Sequence, residues 1–298
     1  MLQSNLMRTG LKEIFLCIVL LVASLSVLGQ RQPLTADQIV EKMSANYASV
    51  DTYQDEGSVY LVKDINVFRG VPWEEVLLVQ DFERLKKVTF KSYFQRPGRV
   101  RFEWIDNESR VRRYSVVWSD GQDAYSWRTD YDDNDDIFIW DNESSLKWAV
   151  EQETRGSMSV FDILYSALTG SKEYFSFIRM TQARIAREEL VVGSTCYLIL
   201  GYIGHDPWAL WIDKETFILR RYRMQISTGT FDEAVRTGYM PTTLGEVDLV
   251  DVQTNGRIAP STFRFRPQLR KGDIDISKYK DERIVPPPPP LPKKPDPK

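Results

Sequence analysis

Few residues in this chain have the types and spacing for covalent chemistry. His205 is the only histidine, and it sits in Gly204-His205-Asp206-Pro207, whose residue types favour a turn. No Gly-x-Ser-x-Gly elbow accompanies it, so a serine nucleophile has no partner base in a recognisable setting. Of the two cysteines, Cys17 lies in an apolar run at the N-terminus and Cys196 in an apolar strand-like run, where a thiol behaves as a small core residue. One histidine and one such thiol do not make a zinc site. Asp130, Asp132, Asn134 and Asp136 place oxygen ligands at every second residue, as a calcium loop does. However, the sixth position is Asp135 rather than glycine and the twelfth is Asp141 rather than glutamate, so a solvated acidic loop is the plainer expectation. No glycine-rich phosphate loop appears. No catalytic residue, metal or cofactor is assigned, and an enzyme is the disfavoured class.

What the chain does supply in quantity is apolar and aromatic wall. It has 8 Trp, 14 Tyr and 14 Phe in 298 residues, with 42% hydrophobic and 27% charged residues. A formal net charge of −3 with no basic stripe argues against a nucleic acid partner. Arg8 and Lys12 precede an apolar run from Ile14 to Leu28, which reads as an export signal cut before Gln30. The run is shorter than the roughly 20 residues that span a bilayer, so a retained anchor is the rival expectation.

The elements that would position this wall follow from periodicity. Thr35 with Gln38 forms a capping box, and Ile39, Val40, Met43 and Tyr47 continue a helix to Ala48. In Gln95-Arg96-Pro97-Gly98-Arg99-Val100-Arg101-Phe102-Glu103-Trp104, apolar and charged residues alternate after Pro97, the pattern of a strand with one apolar face. Further strands are expected at Ser58–Val62, as a pair within Val76–Phe94, and at Val100–Ile105, Val111–Trp118 and Ala124–Arg128. Tyr114, Val116 and Trp118 share one face, as do Tyr125 and Trp127. Helices are expected at Ser144–Glu153 and Ser157–Leu168, the second carrying Phe161, Leu164, Tyr165 and Leu168 on one side and ending at Gly170. Strands resume at Arg179–Ile185, Cys196–Ile203, Trp208–Ile212, Phe217–Ile226, Glu246–Val252 and Thr262–Phe265. The last residues form a polyproline tail, Pro286 to Pro290 and beyond. This order is met by a mainly β (α+β) fold, one curved antiparallel sheet with helices on one side. Its interior is either packed solid or left open for a guest.

Five short motifs recur in a fixed order: the first helix followed by Ser49-Val50-Asp51-Thr52-Tyr53; Arg96-Pro97 followed by Val100, Phe102 and Trp104; Ser119-Asp120-Gly121 followed by Tyr125; Trp211-Ile212-Asp213 followed by Leu219-Arg220-Arg221; and Thr262-Phe263-Arg264-Phe265-Arg266-Pro267. In these the chain resembles the LolA-like family of periplasmic lipoprotein and lipid carriers. The resemblance implies an incomplete antiparallel β-barrel, or half-barrel, around an apolar cavity with helices as a lid. It implies that Arg96, before the strand-edge proline, latches the lid helix Ser157–Leu168. It also implies that Val100, Phe102 and Trp104 face the cavity. Tyr114, Val116, Trp118, Tyr125, Trp127, Phe161, Leu164 and Leu168 complete the expected lipid-binding set. The expected organisation is a signal peptide at residues 1–29, the half-barrel at 30–284 and a disordered tail at 285–298. The expected function is a periplasmic carrier of lipid or lipoprotein acyl chains, exchanging with donor and acceptor proteins of the inner and outer membranes. A sensory module of the same fold, detecting envelope lipids or mislocalised lipoproteins, is the alternative.

Overall fold

The computed structural model describes residues 33–62, 71–79, 83–106, 114–129, 135–140, 146–150, 160–170, 180–227, 242–265, 268–269 and 272–273. The expected signal segment and proline tail lie outside these residues. So do Asp130 to Asn134, both ends of the expected helix Ser144–Glu153 and the start of the expected helix Ser157–Leu168.

Helix α1 spans Ala36–Ser49 and begins directly after Thr35. Ile39, Val40, Met43 and Tyr47 form its buried stripe. Eleven strands then make one antiparallel sheet: β1 (Thr52–Val62), β2 (Arg84–Gln95), β3 (Arg99–Asp106), β4 (Tyr114–Asp120), β5 (Ala124–Thr129), β6 (Asp135–Trp140), β7 (Thr181–Val191), β8 (Ser194–Ile203), β9 (Asp206–Asp213), β10 (Leu219–Ser227) and β11 (Thr242–Thr254). Their order is β6-β5-β4-β3-β2-β1-β11-β10-β9-β8-β7. Two meanders are thus joined by the β1–β11 pair, and β6 and β7 remain as edges. The sheet does not close, so the fold is mainly β, an incomplete barrel. Short strands β12 (Gln268–Leu269) and β13 (Gly272–Asp273) pair separately.

Helices pack on both sides. Helix α3 (Val160–Thr169) and α1 cover the inner face, where Phe161 stacks on Phe102 and Tyr47 tilts against Tyr53. Helix α2 (Trp73–Leu78) covers part of the outer face, where Leu77 is buried with Leu198, Trp211 and Leu244. Residues 146–150 add a helical turn with Leu146, Ala149 and Val150 buried.

Burial on β3 alternates strictly from Arg99 to Trp104, with Val100, Phe102 and Trp104 buried. A one-residue slip would carry Arg101 and Glu103 inward, and this fixes the register. Gly57 is required on β1, because a Cβ there would sit 2.2 Å from the Phe90 ring and 2.5 Å from the Asp248 carbonyl.

Three expectations are corrected. The apolar run at Val76 to Leu78 is the end of α2, and among the described residues one strand, β2, follows it up to Phe94. Pro72 opens this helix, Glu74 and Glu75 favour its first turn, and Leu77 plugs the outer cluster. Residues Pro260–Phe263 form a 3-10 turn in place of a strand, since Pro260 donates no ladder bond. The acidic segment runs into β6, whose Asp135 and Asp136 pair with Thr129 and Arg128. Its sixth to eleventh positions are therefore extended and cannot curl around an ion.

Candidate functional site

The inner face carries one row of apolar residues from β2 and β3. Phe94, Ser92 and Phe90 pair across the ladder with Val100, Phe102 and Trp104. Phe161 of α3 lies parallel on Phe102, with ring centroids 5.0 Å apart, and Tyr165 meets Phe94 edge-on at 6.4 Å. Leu164 and Leu168 are fully buried beside them. The structure therefore brings Val100, Phe102, Trp104, Phe161, Leu164 and Leu168 to one side of the sheet. The wall is covered by the chain's own helix.

The other expected lining residues are elsewhere. The β3–β4 register pairs Phe102 with Val117 and Trp104 with Ser115. This sends Tyr114, Val116 and Trp118 to the outer face, and the β4–β5 register sends Tyr125 and Trp127 after them. There Phe265 packs against Tyr114, Trp118 and Trp127 with centroids 6.4, 5.0 and 5.8 Å apart. Arg101 adds a guanidinium 5.2 Å from the Phe265 ring. Phe265→Ala is expected to cost about 2 kcal/mol, since Phe265 is only partly buried. Urea titration checks this, and a red shift of tryptophan emission should accompany the loss as Trp118 gains water.

Arg96 stands where β2 turns into β3, before the cis peptide to Pro97. Its Nε donates to the Val50 carbonyl at 2.9 Å. Its Nη2 donates to the Ala48 carbonyl and, at 2.6 Å, to the Leu168 carbonyl. These carbonyls end α1 and α3, where the helix dipoles are negative. One side chain thus ties both inner helices to the strand edge.

A polar group absent from the sequence reading lies on the same face. Asp55 of β1 is 2% exposed, and its Oδ2 accepts a hydrogen bond from the Tyr53 hydroxyl at 2.7 Å. Its Oδ1 and the hydroxyl of Ser92, its ladder partner, complete no hydrogen bond of good geometry. Burial pushes the Asp55 carboxyl up to about 6, against lowering contributions from Ser92 and Tyr53. Burial likewise raises Tyr47, Tyr53 and Tyr222, so all three stay protonated donors. The folded-state pKa of Asp55 exceeds its unfolded value. Its contribution to stability is full below about pH 4 and is lost as pH rises through about 6. Asp55→Asn should remove this branch, about 2–3 kcal/mol between pH 7.5 and 4. Urea unfolding of both proteins across that range checks it.

Residues with reactive potential are inert or exposed. Cys196 is fully buried, and burial together with Asp213 pushes its thiol up to about 11, away from the thiolate. His205 lies exposed in the β8–β9 turn beside Gly204, whose φ is +65°.

No protein-family model matches the sequence, and no curated protein does. Solved structures are similar at low identity. LprF from Mycobacterium bovis is 11% identical over 75% of this chain and 94% of its own, with a TM-score of 0.43. A LolA superfamily protein from Nitrosomonas europaea is 11% identical over 78% and 98%, with a TM-score of 0.28. The MucA/MucB complex of Pseudomonas aeruginosa gives 10% identity over 76% and 60%, with a TM-score of 0.29. An open antiparallel sheet with helices on its inner face is the incomplete barrel that the motifs imply. The fold is an incomplete antiparallel barrel. Within this sheet, apolar lining and helical cover meet at Phe102 and Phe161, and the candidate site is built there. No helix among the described residues is long and apolar enough to cross a membrane.

Proposed function

We propose that this protein is an exported, non-enzymatic carrier that holds lipid or lipoprotein acyl chains on the inner face of the sheet. The carrying observation is the stack of Phe161 on Phe102 beneath helices held by Arg96. In this closed state α3 hides the Val100–Phe102–Trp104 wall. Moving α3 away would offer both the wall and the apolar side of the helix to a guest.

The energetics favour exchange. Apolar burial yields about 0.8 kcal/mol per methylene, so a long acyl chain is roughly 10 kcal/mol worse off in water than in a membrane. Moving it from membrane to protein wall is close to even, and the lid sets the direction. A closed lid expels the guest and satisfies the wall itself. No covalent step is required, and the donors and acceptors would be membrane proteins of the envelope.

Native mass spectrometry of protein purified from its own host, followed by lipid extraction, tests this reading. A co-purifying acyl lipid is the expected result. Protein that carries no lipid and takes up none from vesicles would overturn it.

A further inference from the structure

We propose that Asp55 and the tyrosines around it form a head-group site on the inner face, one that takes the ammonium of a cationic amphiphile. The proposal rests on the carrier reading and names a class of guest for the same face.

The placement comes from the register. Asp55 pairs with Ser92, and Ser92 pairs with Phe102. Asp55, Ser92 and Phe102 therefore form one row across β1, β2 and β3. Two strand spacings put Asp55 about 10 Å from Phe102. A guest lying on Phe102 would reach Asp55 with one end. The ladder is irregular at this point: the β1–β11 register shifts between Gln54 and Glu56, opposite Asp251 with φ +51°. Such bulges re-aim side chains beside functional sites.

The chemistry selects the head group. Asp55 is buried, with one oxygen on the Tyr53 hydroxyl and the other facing Ser92 without a hydrogen bond of good geometry. Among the described residues no cation pairs with it. Around it stand Tyr53 and Glu56 on β1, Ser92 on β2, Tyr47 on α1 and Tyr222 on β10. Glu56 is held by Lys91. Arg220, which acts on Tyr47, is paired with Asp213. A buried carboxylate without a counterion is costly, and neutral phenols do not offset its charge. An ammonium does, and tyrosine faces favour it further. Tyr47 of α1 covers Tyr53, with centroids 5.6 Å apart, so the site opens with the helices that uncover Phe102.

Dodecylamine, dodecanol and dodecanoic acid, titrated into the full chain at pH 7.5, test the proposal. The amine should bind at least tenfold more tightly than the alcohol, and the acid more weakly than both. In Asp55→Asn the amine and alcohol should agree within about twofold. In the wild-type protein the preference should shrink by pH 5, as a proton displaces the cation, and this series serves if the variant does not fold. Equal binding of amine and alcohol by the wild type, or a preference that survives Asp55→Asn, would overturn the head-group site and leave the carrier reading standing. If none of the three probes binds, both readings fall.

Discussion

Arg96→Leu is expected to take up lipid faster and release it more slowly than the wild-type protein. The wild-type guanidinium donates to three carbonyls, those of Ala48, Val50 and Leu168, at the ends of two helices. Leucine removes every one of these bonds and the cation that faces two helix dipoles. The exposed ends turn to water, so the whole strength of the bonds is not lost. About 2–3 kcal/mol of closed-state preference should go, a change of roughly 30- to 150-fold in the closed-to-open ratio. Hydrogen exchange at the amides of α3 reads the opening directly, and a fluorescent fatty acid reads uptake and release. Unchanged exchange and unchanged release would remove the latch role. Arg96→Lys should fall between the two, because an ammonium keeps the charge but cannot span three carbonyls as the planar guanidinium does.

The place of Arg96 was legible because an arginine before a strand-edge proline is a local pattern, and its proposed latch role came from the family resemblance. The partners of Arg96 were not, since Ala48 and Leu168 lie 48 and 72 residues away in sequence. The same division explains the lining. Val100, Phe102 and Trp104 alternate with charges, so their common face is visible within ten residues. Tyr114, Val116 and Trp118 share a face opposite Ser115, Val117 and Ser119, and the adjacent Val116 and Val117 offer both faces an apolar residue. Which of the two rows turns inward depends on the β3–β4 register, and that depends on a chain reversal whose geometry the sequence does not state. Both faces of this sheet bury aromatics, one under α3 and the other under Phe265, so hydrophobicity alone could not choose. The first half of β1 was hidden for a different reason. Asp55 and Gly57 occupy inward positions of β1, which a regular alternation would fill with apolar residues. These residues break the alternation and also mark the polar row on the inner face. Strand β6 was missed because Asp135 and Asp136 begin it.

A second arginine gives a contrast to the proposed latch. Arg223 of β10 lies on the outer face and donates through Nη1 to the Leu77 and Val79 carbonyls at 2.7 and 2.6 Å. It thus holds the C-terminal end of α2 as Arg96 holds α1 and α3. However, Arg223 is only 4% exposed, and Glu246, fully buried, accepts from its Nε at 2.5 Å. Arg96 is partly exposed and makes no ion pair among the described residues. Opening a helix away from Arg96 exposes a cation already touching water. Opening α2 would strand a buried ion pair. Movement is therefore expected on the inner face, with α2 fixed.

That difference makes Glu246 the site of the largest expected stability effect. Glu246→Leu takes the carboxylate away from the buried Arg223, while Arg84 and Arg221 lose the same carboxylate. Removing one partner of a buried pair costs about 3–5 kcal/mol. That is a large share of the 5–15 kcal/mol that holds a typical domain together. The double variant Arg223→Met with Glu246→Leu should recover most of the loss, because the most deeply buried cation leaves with its carboxylate. If the single and double variants unfold at the same urea concentration, the cost lies in packing and the ion pair has no special role. The pH response adds an independent check. Burial raises the Glu246 carboxyl, yet Arg223 and Arg221 outweigh it and hold it below the usual glutamate range. A lowered folded pKa gives stability that is present above the unfolded value, about 4.3, and lost as pH falls through the folded one. Asp55 acts in the opposite sense, gaining as pH falls from about 6. Glu246→Leu should therefore flatten acid unfolding below about pH 4 and leave the Asp55 branch between pH 4 and 7 in place.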